Sequence, residues 1–150
     1  MIDSVRHAWL LENVTWERLT FWTGFSHLCQ LPAMVAAPRM LDWSGELGRL
    51  STLNRRIVLV MGGGILLAAQ GLGIVVMVAA DEIARGGRLG GAVACFLSIF
   101  WAYRALVQIF LYSRIWPASG IGRLSHWGLV CLFTLQTGAY ALVFASGLLR

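Results

Sequence analysis

The chain has 150 residues, of which 58% are hydrophobic and only 13% charged. Soluble domains run nearer ~45–50% apolar and ~25% charged, so this balance excludes an ordinary water-soluble globule and points to a membrane. The net charge of +5 is carried by arginine alone, scattered between apolar runs, so lipid headgroups rather than nucleic acid are the expected partner.

The length fits a single membrane domain over residues 1–150. Residues 3–18 mix charge with Val5, Trp9, Leu10 and Trp16, which predicts a short interfacial helix running into the first span. They lack the uninterrupted apolar core of a signal peptide. The first span is expected at about 19–37. Thr20, Thr23, His27 and Gln30 fall on one helical stripe there, and a lone polar stripe in lipid should turn inward. Pro32 predicts a kink just past His27, and Pro38 a helix end.

The first loop interleaves Asp42, Glu46 and several arginines with Leu47, Leu50 and Leu53, the pattern of a short amphipathic helix on the membrane surface. The second span is expected at 57–80, with Gln70 near its middle. Gly64/Ala68 and Ala69/Gly73 are small pairs four apart, which let helix backbones approach closely. Asp81 and Glu82 open a tight loop with Arg85 and Arg88, read as exposed charges that partner one another. The third span, 89–112, carries Gly90, Ala94, Ser98 and Ala102 at strict four-residue spacing, with Arg104 and Gln108 on another face. The fourth, 126–149, brings Gln136 to mid-depth. The expected fold is therefore an all-α four-transmembrane-helix bundle with short interfacial helices at the N-terminus and in the first loop. Outside the spans' middles, arginine divides six to five between the two sides, which sets no orientation.

His27, Gln30, Gln70, Arg104, Gln108 and Gln136 form a predicted polar cluster at common depth. Amides and imidazoles at such a level hydrogen-bond across helices, at ~0.6–2 kcal/mol each. Arg104 is the costly member. Its side chain leans toward the helix N-terminus, away from the nearer interface, so exposure to lipid would cost at least ~2.5–3.5 kcal/mol. It is expected to face the bundle or a subunit contact, with Asp42 or Glu46 folding back as counter-charge, or with an anionic ligand, a lipid phosphate or free carbonyls in that place. Because the small stripe and Arg104 lie on nearly opposite faces, both needing cover, a homo-oligomer or a larger membrane complex is expected.

No catalytic residue is assigned, for there is no nucleophile motif with a base at useful spacing. No metal site is assigned, and Cys29, Cys95 and Cys131 show no ligand or disulfide spacing. Haem b needs paired histidines at one level. Of His7, His27 and His126 only His27 lies at mid-depth, so no cofactor is expected.

The stretches Pro38-Arg39-Met40-Leu41-Asp42-Trp43, Glu46-Leu47 and Leu53-Asn54-Arg55-Arg56, followed by Phe100-Trp101, Arg104, Val107 and Gln108, resemble small bacterial four-span membrane proteins without an assigned activity. That resemblance implies a topology and a bacterial inner-membrane location, and it carries over no functional residue. Three functions follow as expectations. The first is a non-enzymatic subunit or lipid-contacting module. The second is a binding or transport protein holding a small anion, a quinone or a proton near Arg104, Gln108 and His27. The third is a haem-bearing electron carrier.

Overall fold

The computed structural model describes residues 2–116 and 119–149, with side chains described from Thr15 onward. The expected face of Val5, Trp9 and Leu10 lies outside the described side chains. Every regular element among the described residues is helical. In chain order these are α1 (Ile2–Leu28), α2 (Leu31–Met40), α3 (Trp43–Gly48), α4 (Thr52–Val78), α5 (Ala80–Ala84), α6 (Arg88–Leu106) and α7 (Gly120–Leu148). Between α6 and α7 the chain makes a π-helical turn, Val107–Leu111, and a 3-10 turn, Tyr112–Arg114. Three helices, Thr52–Val78, Arg88–Arg114 and Gly120–Leu148, are long and apolar enough to cross a membrane, consistent with a membrane protein.

The boundaries differ from the sequence pattern in instructive ways. The 3–18 segment is not a separate element but the first part of α1. Instead of a kinked helix over 19–37, α1 ends at Leu28 and α2 restarts at Leu31. Pro32 has no amide to give the Leu28 carbonyl and its ring crowds that carbonyl, whereas in the first turn of a new helix the missing amide costs nothing. Pro38 sits inside α2, which continues to Met40. In the first loop, Leu47, Leu50 and Leu53 do not share one helix. Asp42, in the left-handed region at φ 47°, accepts from the Gly45 amide and starts α3. Ser51 accepts from the Asn54 amide and starts α4. A side-chain oxygen at each helix start satisfies an amide that has no intrahelical partner. Ser119 does the same for α7, which therefore begins well before residue 126.

The helices form two antiparallel pairs joined by α1. α6 lies along α7, and α1 crosses α4, α5 and α7. The α1–α4 crossing is tight because two glycines meet there. A Cβ on Gly24 would stand 2.9 Å from the Gly73 carbonyl oxygen, and one on Gly73 would stand 2.6 Å from His27 Cβ. Gly90 has the same role between α6 and α5, against the Ile83 backbone. The apolar core is Val76, Ile83, Leu97, Trp101, Phe133, Tyr140 and Val143, with Ala94 and Ala105. Ala94 is buried and Ser98 Oγ donates to the Thr137 carbonyl at 3.3 Å, so part of the four-residue stripe on α6 meets α7, with Ala102 half-buried below it. Gly64 and Ala68, by contrast, lie on an exposed stretch of α4, and a Cβ at Gly64 would meet nothing within 4 Å.

Candidate functional site

The polar groups of the bundle do not form one layer. They divide into a junction at His27, an amide relay beside it, and separate contacts farther along α4 and α6.

His27 on α1 bonds residues of α4, α6 and α7. The Thr20, Thr23, His27 and Gln30 stripe is wholly buried, turned inward as its spacing requires. Trp101 Nε1 donates to His27 Nε2 at 3.1 Å, and the Tyr140 hydroxyl donates to the same nitrogen at 2.9 Å. An indole nitrogen can only donate, so Nε2 carries no proton. The ring is then neutral with its proton on Nδ1, which donates to the Ala69 carbonyl at 3.1 Å. Ala69 lies one turn from Gly73, and the glycine crossing brings its carbonyl within reach. Trp101 and Tyr140 also meet the imidazole edge to face, with ring centroids 4.7 and 5.9 Å away. Both ring nitrogens are thus committed to three helices other than the one that carries them. An iron ligated by His27 would have to displace Trp101 and Tyr140 from Nε2.

The relay runs beside it. Gln30 Nε2 donates to Gln136 Oε1 at 3.2 Å, Gln136 Nε2 donates to Ser26 Oγ at 2.7 Å, and Ser26 donates to the Thr23 carbonyl at 2.6 Å. Each amide offers its oxygen or its nitrogen to the next residue in line, and the line ties α1 to α7.

The other expected members stand apart. Gln70 points its amide nitrogen at Met34 Sδ, 4.0 Å away, and its Oε1 is buried with no partner among the described residues. Gln108 lies in the π turn and bonds His126 Nδ1 at 3.1 Å, joining α6 to the start of α7. Trp116 closes that corner by donating to Ser125 Oγ at 3.1 Å. Arg104, in the last turn of α6, is half-buried, with its guanidinium 5.5 Å above the Phe133 ring. Phe133 itself stacks on Trp101 at 5.3 Å. No carboxylate pairs with Arg104 among the described residues. Asp42 caps α3 and accepts from Ser44, while Glu46 pairs with Arg49 at 3.2 Å on the surface. Asp81 pairs with Arg85 at 2.7 Å, as the loop composition suggests.

Trp101, Tyr140, Ser26 and His126 complete these contacts and are absent from the set that sequence reasoning assembles. Tyr140 and Ser26 carried a signal, a hydroxyl inside an apolar helix. Trp101 looked like one more apolar residue, and His126 like the start of a span. Cys29, Cys95 and Cys131 are free thiols, and no cluster of potential metal ligands occurs among the described residues. No family model, curated protein or solved structure matches the chain.

Proposed function

We propose that the chain is a four-span integral membrane protein without a reaction of its own, serving as a subunit of a membrane assembly or as a lipid-contacting module. In this reading α1 from about Leu19, with α2, makes the first crossing, and α3 rests at the interface. The bacterial inner membrane is the proposed location on the resemblance alone. What carries the functional reading is the His27 junction. Its imidazole, indole, phenol and carbonyl groups are spent on one another, which is how polar groups act when they fasten helices in lipid. A reactive or ligand-holding centre would need at least one of them free.

Two measurements test this. Reporter fusions near residues 15 and 149 should lie on the same side of the membrane, as four crossings require. Opposite sides would mean that only the three long apolar helices cross. The purified protein should show no Soret band, and a band abolished by His27→Phe would overturn the structural role given to His27.

A further inference from the structure

The end of the bundle that carries α5 is closed by four long helices, and the other end is open. Past Gln30, α2 buries none of its residues. Between residues 52 and 68, α4 buries none either. What stays packed there is α6, with its π turn, against α7. Arg104 stands where this open half begins, one turn beyond the Trp101–His27 contact.

Its depth narrows what can neutralise it. Trp101 lies midway between Arg88 and Arg114, the charged ends of that helix. Arg104 is three residues farther on, ~4.5 Å along the axis. The headgroup region begins ~15 Å from the bilayer midplane, and the side chain leans toward that midplane, away from its nearer headgroups. A second copy brings no carboxylate to this level, because the acids are Asp3, Glu12, Glu17, Asp42, Glu46, Asp81 and Glu82, all outside the apolar runs. The Phe133 ring covers one face of the guanidinium and leaves its N–H edge for a planar acceptor.

We infer that the open half of the bundle receives a membrane-spanning helix of a different protein, one with an Asp or Glu near mid-bilayer whose carboxylate pairs with Arg104. The inference rests on the membrane-subunit reading. Ionisable groups at this depth pair with one another or with backbone carbonyls, and the incoming carboxylate supplies the opposite charge this chain lacks. The exposed side of α4 suits such a neighbour. A Cβ at Gly62, Gly63 or Gly64 would meet nothing within 4 Å, so a second backbone can come close.

The full chain in phosphatidylcholine vesicles can be titrated, by energy transfer, with a synthetic leucine–alanine spanning peptide bearing one central glutamate. Its twin has leucine at that position. The glutamate peptide should bind about ten-fold tighter than its twin. Arg104→Leu should abolish the advantage and Arg104→Lys should keep it. With a carbon-13-labelled glutamate carboxyl, the infrared spectrum should show the ionised band on the wild-type chain and the protonated band on Arg104→Leu. Should Arg104→Leu fail to fold, Arg104→Gln carries the same comparison. Equal binding of the two peptides, or an advantage that survives loss of the cation, overturns the inference. So does an Arg104-dependent retention of phosphatidylglycerol that displaces the peptide, which would assign the guanidinium to a lipid phosphate. A chain whose reporters map four crossings but which ignores the glutamate loses this inference and keeps the membrane reading.

Discussion

His27 shows how much a single side chain can be asked to hold. Its indole and phenol partners have no other acceptor in the junction. Removing the ring strands an indole N–H and a phenol O–H together, and an unsatisfied buried group costs ~1–3 kcal/mol. His27→Ala should therefore destabilise the folded chain in detergent by about 3 kcal/mol, read from reversible unfolding. Tyr140→Phe should cost less, ~0.5–1.5 kcal/mol, because Trp101 still donates to Nε2. If the two variants lose equal stability, the imidazole is not the centre of the junction. The sequence placed His27, Gln30 and Gln136 in the interior because each is a polar group in an apolar run. It could not show that Trp101 was the partner of His27, since an indole is apolar over most of its surface and its one N–H leaves no trace in a hydropathy pattern.

At the level of helices, glycine separates crossings from free surface. Gly73 and Gly63 look alike in the sequence, each a small residue in the same apolar helix. A Cβ at Gly73 has no room, and at Gly63 it has nothing near it. Gly73→Ala should push α1 from α4, lengthen the His27–Ala69 bond and cost ~1–3 kcal/mol. Gly63→Ala should leave the stability of the isolated chain unchanged or raise it by up to ~1 kcal/mol through better helix propensity. Unfolding of the two variants side by side checks this contrast, and equal losses would contradict the crossing geometry. The expected Gly64/Ala68 pair and the real Gly24/Gly73 contact differ for a physical reason. Spacing within one helix says where a backbone is bare, but only the partner helix decides which bare patch it meets.

The whole molecule is closed at one end and open at the other, and this was the least legible feature. Composition and run length were enough to read helices of membrane-crossing length, because a chain needs ~20 apolar residues to cross hydrocarbon. In water, the apolar face of a helix marks the core. In lipid every outward face is apolar as well, so periodicity stops reporting where protein meets protein. The exposed stretch of α4 and the packed helix α6 are both strongly apolar, yet one meets the rest of the bundle and the other does not. Only the polar residues kept a directional signal: His27, Gln30, Gln108 and Gln136 are buried, but their common depth did not say which of them would meet.

The π turn at Val107–Leu111 has a consequence for how many residues the chain can spare. A π turn holds one residue more than the α-helix it interrupts. Val107–Leu111 therefore holds one residue more than a continuous α-helix needs, and Phe110 within it is exposed. Deleting Phe110 should straighten the helix and leave the Gln108–His126 contact in place, because Gln108 precedes the deletion. Deleting Leu97, in the fully α-helical and buried part of α6, should rotate Trp101 away from His27 and unfold the bundle. Thermal unfolding of the two deletions would measure this tolerance, a store of spare length at one point of the sequence and none at the other.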